Sequence, residues 1–469
     1  MEPIGNRPNK GAGPMAVLIL AAGQGTRMRS SEPKVLHKLG GKPLIYYLLR
    51  LANALKPTGI GLVIGHQEEL VRKTISDSLK EWGIARAVHF IVQKAPSGSG
   101  GAVLDSMSFL KKYQTALVMC GDSPLLTFDT LYAMLSHHRA DKGQVTMLTA
   151  RLANPKGYGR VVRAPTGEVL RIVEDQLATP KEAAINEVNS GTYCFEVALL
   201  VDAVKKLKPQ GDKHELFLTD CLEHVRSHGA RVGAFVSSNP EEILGINNRL
   251  QLAGAERVLN RRAVERLMLS GVTVMDPAHT YVDLDVEVAQ DTVLLPGTLL
   301  LGKTKIGKEC RIGPHTLIED SSVGNGCEVA FSQVRGARLL EKTLVGPFSN
   351  IRPETVAGPR AKIGNFSEVK ASRIGFGSKV PHLSYIGDAE IAEDVNIGAG
   401  TITCNYDGKT KHKTIIGAKA FVGSNVTLVA PVKLGRGAYV AAGSTIVKDV
   451  SEGKLVFARA KDQVEKTRK

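Results

Sequence analysis

The sequence predicts an α/β domain with a mostly parallel sheet, followed by an all-β solenoid of hexapeptide repeats. Three observations carry this. From Ile416 onward an aliphatic residue falls at every sixth position: Ile416, Val422, Leu428, Leu434, Val440 and Ile446. Six fits neither the 3.6-residue helix nor two-residue strand alternation, and it is the mark of a coil of short strands. The first half instead alternates short apolar runs with helical patterns, which argues for βα units. Between them, 247–269 reads as one long amphipathic helix.

Taken in order, residues 1–14 hold three prolines and three glycines and read as a flexible leader. Val17-Leu18-Ile19-Leu20 is a buried-type strand. A helical apolar pattern covers 44–55, a strand 60–64, a helix 70–79 and a strand 116–119. The turn Cys120-Gly121-Asp122-Ser123-Pro124 follows the last of these. In a parallel sheet, ligands gather at the carboxyl ends of the strands. Beyond the long helix, the beat runs through Ile306, Ile312 and Ile318, then Ile351, Ile363 and Val369. It continues as Ile374, Val380, Ile386, Ile391 and Ile397. Steps of five, from Val369 to Ile374 and from Ile386 to Ile391, shift the register. Glycine often follows the aliphatic residue, as at Gly307, Gly313, Gly387, Gly398, Gly417 and Gly423, where it would suit a tight corner.

The 469 residues exceed one ordinary domain. Hydrophobic content of 43% with 23% charged residues is that of a globular chain with ample core. A net charge of +15 suits anionic small substrates as well as nucleic acid or membrane. No Lys/Arg tract is interleaved with aromatics, however, which argues against nucleic acid. The basic cluster is the tail from Lys461 to Lys469. Six cysteines (Cys120, Cys194, Cys221, Cys310, Cys327, Cys404) show neither CxxC pairs nor zinc spacing, and suggest a reducing, cytoplasmic compartment. The apolar run from Ala16 to Ala22 is too short to span a membrane, and a glycine loop follows it in place of a cleavage site.

Two features of the first half carry chemistry. In Leu20-Ala21-Ala22-Gly23-Gln24-Gly25-Thr26-Arg27-Met28, followed by Pro33-Lys34-Val35-Leu36, a glycine loop leaves a buried strand. Its backbone N–H groups can approach phosphate oxygens, and Arg27 and Lys34 can neutralise triphosphate charge. It is neither a Walker loop nor a dinucleotide GxGxxG. Asp122 lies just past a strand end, where a carboxylate suits Mg²⁺ with substrate phosphates; the same Asp also suits a plain turn. Asn247, similarly, is either a ligand or a helix cap.

These segments, with Gly157-Tyr158-Gly159-Arg160, Asn247-Asn248-Arg249 and the coil, occur in one order. Together they resemble the bacterial bifunctional N-acetylglucosamine-1-phosphate uridyltransferase / glucosamine-1-phosphate acetyltransferase family, from about Val17 to about Arg459. The most specific segments are His382-Leu383-Ser384-Tyr385-Ile386-Gly387-Asp388-Ala389 and Gly398 to Gly408, which contains Thr403-Cys404-Asn405-Tyr406-Asp407. The resemblance implies a Rossmann-like nucleotidyltransferase domain over 15–246, a linker helix over 247–270 and a left-handed parallel β-helix acetyltransferase domain over 271–469. It also implies a homotrimer with shared acetyltransferase sites.

The implied reactions are acetyl transfer from acetyl-CoA to glucosamine 1-phosphate, then uridylyl transfer from UTP to the N-acetylated product, with Mg²⁺. The resemblance puts Leu20, Ala21, Ala22 and Gly23 along the nucleotide, with Cys120 and Gly121 beside it. Arg27 and Lys34 meet the phosphates as catalytic groups, and Gln93, Gly98 and Ser99 read uracil. Asp122 and Asn247 hold Mg²⁺, while Gly159, Glu174 and Asn189 contact the sugar. In the coil, His382 is the base for the amine and Glu368 orients it. Arg352, Lys370, Tyr385 and Asn396 contact glucosamine 1-phosphate. Ala399, Asn405, Tyr406, Ser424, Ala442 and Arg459 contact acetyl-CoA.

The chain departs from the family pattern in its first half. The uracil loop reads Pro96-Ser97-Gly98-Ser99-Gly100-Gly101-Ala102, without the usual histidine at Gly101. Cys120 replaces a common aromatic, and Glu215-Leu216-Phe217 lacks tyrosines. Two other readings stay open at this point. One is a coil-bearing nucleotidyltransferase for another sugar or base, which would not need His382. The other is a non-catalytic assembly subunit, which would be expected to lose Arg27, Lys34 or Asp122.

Overall fold

The computed structural model describes residues 13–210 and 214–459. Most of the leader and the Lys461–Lys469 tail lie outside the described residues. The chain divides into two compact units, 1–259 and 260–469, and the dividing point falls within the helix Arg249–Leu269.

The first unit is built on one mixed sheet. Its strand order is Val232–Val236, Val145–Arg151, Glu187–Glu196, Thr115–Cys120, Met15–Leu20, Gly59–Ile64 and Val88–Val92. Only Glu187–Glu196 runs against its neighbours along this path, pairing antiparallel with the strands on both sides. The hairpin of Arg160–Arg163 and Val169–Val173 hangs from that reversed strand. Met15–Leu20 sits centrally, parallel to both neighbours, in register Leu20 to Cys120 and Leu20 to Val63. Burial on both faces explains its unbroken apolar run: Ala16, Val17, Leu18 and Ile19 are fully buried. The register also brings the glycine loop after Leu20 beside the turn after Cys120. The predicted helices appear as Leu44–Ala54 and Glu68–Ser78.

The second unit is a coil with three stacked parallel sheets of 11, 10 and 9 strands. Strands two to four residues long pair with the strand one turn ahead. Leu299 faces Leu317 and Phe421 faces Tyr439, each eighteen positions on, so one turn is three hexapeptides. Every aliphatic residue of the predicted beat, from Ile306 to Ile446, is buried along the coil axis. Between Ile318 and Ile351 the axis is filled by Val323, Val329, Val334, Leu339 and Val345, where steps of five mix with steps of six. Most of the buried hydroxyls that flank the axis are satisfied by carbonyls; Thr304 Oγ1, for example, donates to Leu301 O at 2.6 Å, whereas Thr414 Oγ1 has no partner among the described residues. The end of the long helix contributes Ala263, Val264 and Leu267 to the same core.

The glycines after the beat serve a different purpose from the one expected. Of the six, only Gly313 has a left-handed φ. At Gly398 an added Cβ would lie 2.4 Å from the backbone of Gly423 on the next turn. These glycines therefore permit close stacking of turns. The left-handed corners go to other residues, among them Phe348, Phe366, Leu383 and Asn425.

Among the described residues, no helix is long and apolar enough to cross a membrane.

Candidate functional site

In the first unit, the ends of the two central strands open into a cavity of about 870 Å³. Leu20, Ala21, Ala22, Gly23, Arg27, Lys34, Gln93, Gly98, Ser99, Cys120, Gly121, Asp122 and Asn247 all line it. The short turn Lys34–Leu36 aims Lys34 inward. Its Nζ donates to Asp122 Oδ2 at 2.7 Å and to Asn247 Oδ1 at 3.1 Å. Arg27 donates to the same Asn247 oxygen at 3.0 Å. Asn247 is free for this because its neighbour caps the helix: Asn248 Oδ1 accepts the Gln251 N–H at 2.9 Å. Asp122 Oδ2 and Asn247 Oδ1 thus converge on one ammonium. Two hard oxygens meeting at a point occupied by a cation fit Mg²⁺, which takes one or two protein oxygens and completes its shell with phosphates and water.

Gly159, Glu174 and Asn189 gather as a second group beside this cavity. The Asn189 N–H donates to Gly159 O at 2.9 Å, and a Cβ on Gly159 would lie 3.7 Å from the Glu174 carboxylate. Burial pushes the Glu174 carboxyl up, Thr219 opposes this with a hydrogen bond, and Asp175 adds to the rise. Burial also pushes the Cys120 thiol up to about 12, with Asp122 adding to it, so Cys120 faces the site as an inert, neutral group.

The residues expected to read uracil are tied to one another. Gln93 Nε2 donates to Ser97 Oγ at 3.2 Å and to Gly98 O at 3.0 Å. Ser99 Oγ accepts the Leu218 N–H at 3.1 Å. Gly98 has a φ of +81°, and a Cβ there would lie 2.7 Å from Leu216 O. The segment lacking tyrosines therefore packs directly against this loop. Gln176 and Glu215 also line the cavity, and sequence reasoning did not single them out as site residues.

In the coil, a polar cluster spans neighbouring turns. Glu368 pairs in register with Tyr385, and Asn365 with His382. Arg352 donates to Glu368 at 2.8 Å, and Glu368 raises the Arg352 guanidinium further. His382 Nδ1 lies 2.5 Å from Asn365 Oδ1. Glu368, expected to orient the histidine, is instead engaged with Arg352, and the histidine's partner is Asn365.

Lys370 meets Lys411, and this second ammonium is the chief reason its own is held below the ordinary value, with desolvation next. Asp388 favours the charged form of both lysines. With Arg352, the two lysines concentrate positive charge that a phosphate can neutralise. Asn396 lies one turn beyond Lys379 in register.

Lys411 belongs to an insertion in the coil. Tyr385 pairs with Ile402 seventeen positions on, but Ile402 pairs with Thr427 twenty-five on. The extra residues form a loop after Cys404. Asn405 is buried and bonded to Asp388, while Tyr406 is exposed, its hydroxyl donating to Gly408 O at 2.7 Å. Asp407 locks the loop by accepting from Lys409 N, Thr410 N and His412 Nε2. Its carboxyl is accordingly held well below the usual range.

A ridge continues from there. Ser384 Oγ bridges His382 O and Gly398 O. The Asn425 N–H donates to Ala399 O at 2.7 Å, the Gly443 N–H to Ser424 O at 2.8 Å, and Arg459 to Ala442 O at 2.8 Å. Ala399, Ser424, Ala442 and Arg459 therefore line successive turns next to the histidine cluster.

Comparison with known proteins bears on both units. Residues 16–240 match the nucleotidyl transferase family, and residues 413–448 match the bacterial transferase hexapeptide family of six repeats. The coil is a left-handed parallel β-helix of that hexapeptide type. The chain is 46% identical over 444 residues to the bifunctional protein GlmU of Caldanaerobacter subterraneus subsp. tengcongensis, covering 95% of each. It is 45% identical over 445 residues to the bifunctional protein GlmU of Halalkalibacterium halodurans, covering 95% of this chain and 96% of that one. With the bifunctional protein GlmU of Trichlorobacter lovleyi it shares 45% over 454 residues, covering 96% and 97%.

Proposed function

The chain belongs to the bifunctional GlmU family, and from that premise we infer how its residues divide two reactions. The protein is a bifunctional transferase that makes UDP-N-acetylglucosamine, a precursor for cell-wall synthesis. One activity passes the acetyl group of acetyl-CoA to glucosamine 1-phosphate. The other passes the uridylyl group of UTP to N-acetylglucosamine 1-phosphate and releases pyrophosphate.

For acetyl transfer, we assign His382 as the base. It takes a proton from the substrate ammonium, the freed amine attacks the thioester carbonyl, a C–N bond forms and the C–S bond breaks. The CoA thiolate leaves and is protonated by the amine's second proton. The charge gathered by Arg352, Lys370 and Lys411 supports a sugar-phosphate site beside His382, with Tyr385 and Asn396. The ridge of Ala399, Ser424, Ala442 and Arg459, with Asn405 and Tyr406, supports acetyl-CoA binding.

For uridylyl transfer, the chemistry demands alignment and charge neutralisation more than covalent help. Arg27 and Lys34 bind the triphosphate and Gln93 with the 97–99 loop takes the base. Glu174, Asn189 and Gly159 take the sugar. Asp122 and Asn247 would hold Mg²⁺, which supplies charge neutralisation at the phosphates when bound. The observation that carries this assignment is the convergence of both oxygens on Lys34 Nζ, at 2.7 and 3.1 Å. We place the enzyme in the cytoplasm as a homotrimer; the hexapeptide coil supports the trimer.

A coupled assay with glucosamine 1-phosphate, acetyl-CoA, UTP and Mg²⁺, following free thiol and pyrophosphate separately, tests the division. His382→Ala should abolish thiol release from acetyl transfer while pyrophosphate release from supplied N-acetylglucosamine 1-phosphate persists. Asp122→Ala should do the reverse. Loss of both activities in either folded variant would refute the assignment.

A further inference from the structure

A general base must present an unprotonated nitrogen to its substrate, and imidazole has two nitrogens that exchange one proton. Which of them is free is set by the partner of the other. His382 ends the strand Lys379–His382, and Asn365 ends the strand Lys362–Asn365 one turn earlier. The two are paired in register, and the Leu383 N–H donates to Asn365 O at 3.0 Å, so the backbones are fixed against each other. On that footing Asn365 Oδ1 lies 2.5 Å from His382 Nδ1. An amide oxygen can only accept, so this contact calls for a proton on Nδ1 and leaves Nε2 its lone pair. Glu368, the nearby carboxylate, is occupied by Arg352 at 2.8 Å.

We propose that Asn365 is a positioning residue for acetyl transfer, holding His382 in the tautomer whose Nε2 is free to accept the substrate's proton. The proposal rests on the reading of His382 as the base. A neutral amide suits the task in a way a carboxylate would not. It fixes the ring without placing a full negative charge beside it.

The test compares Asn365→Ala, Asn365→Asp and His382→Ala in the full-length protein. Thiol release gives kcat, KM and the pH profile, and pyrophosphate release reports the integrity of the fold. Nitrogen-15 imidazole spectra report the tautomer. For Asn365→Ala we expect kcat for acetylation to fall about 10- to 100-fold, as loss of an orienting partner generally costs, with KM within about twofold. Pyrophosphate release should be unchanged. In Asn365→Asp the carboxylate should move the acid limb of the kcat/KM profile upward by about one pH unit. The wild-type spectrum should show a proton on Nδ1. A wild-type proton on Nε2 would overturn the proposal, as would normal kcat in Asn365→Ala alongside an inactive His382→Ala. An active His382→Ala would overturn both the base reading and this inference.

Discussion

Lys34 occupies the place proposed for a divalent cation, and this has a measurable consequence for metal binding. Its Nζ touches both proposed metal ligands, Asp122 Oδ2 at 2.7 Å and Asn247 Oδ1 at 3.1 Å. The Lys34 and Asp122 side chains are only 14% and 22% exposed, so solvent screens the pair weakly. A hydrogen bond to a charged group contributes about 1.5–3 kcal/mol net. A metal that displaces the ammonium gives up that amount, which is about 10- to 150-fold in affinity. Lys34→Met should therefore bind Mn²⁺ about 10- to 100-fold more tightly than wild type without nucleotide, read by electron paramagnetic resonance at constant ionic strength. UTP offers Lys34 another partner, so it should tighten Mn²⁺ binding in wild type and do so less in Lys34→Met, by linkage. Arg27→Met removes the same unit of charge, but Arg27 bonds to Asn247, and its effect should be smaller. Asp122→Ala should abolish the tight site. If Lys34→Met binds Mn²⁺ no better than wild type, or Arg27→Met matches it, the ammonium is not the competitor.

Two further outcomes concern stability. Burial, with Glu174 and Glu223, pushes the Asp220 carboxyl up to about 6 in the folded state, against about 3.9 when unfolded. The folded form then binds more protons between these values, so this group's contribution to stability falls as pH rises from about 4 to about 6 and stays lost above. Asp220→Asn should stabilise the first unit at pH 8 by about 1 kcal/mol after solvent screening, raising its melting temperature, and should leave it unchanged at pH 4. An equal gain at both would refute the cause. In the coil, Ile386 is fully buried on the axis, and Ile386→Ala should cost about 2–5 kcal/mol in denaturant unfolding. Val447→Ala, at a residue 61% exposed, should stay within about 0.5 kcal/mol.

The sequence made the coil legible because one physical constraint repeats. Each inward position must be aliphatic, and Ile306 through Ile446 are all buried. The stretch from Val323 to Val345 escapes that reading because its steps mix five and six residues, which no single period captures. In the first unit, the loop from Leu20 to Met28 and the turn at Asp122 were readable one at a time. Their meeting was not, since it depends on Leu20 pairing with Cys120 across the sheet. Asn248 as the helix cap is a similar case: either asparagine could cap by its chemistry, and only the Gln251 N–H decides between them.

Asn365 and Lys411 show why the remaining polar contacts stayed hidden. A regular coil places like residues above like along its axis, and a count of eighteen tells which surface groups meet, as Lys305 and Glu287 do at 3.1 Å; where the period is disturbed, that count fails. Turns of seventeen residues, one short of three hexapeptides, set Asn365 against His382. The insertion that lengthens one turn to twenty-five lifts Lys411 out of the wall, and it comes to rest against Lys370. At the same place the inward beat carries Thr403 in place of an aliphatic residue, its hydroxyl accepting the Gly387 N–H at 2.8 Å. That hydroxyl braces the turn from which the loop departs, and Asn405 bonded to Asp388 closes it. The breaks in the beat between Val369 and Ile416 are thus where the coil gives up uniform packing and brings together His382, the two lysines and the loop.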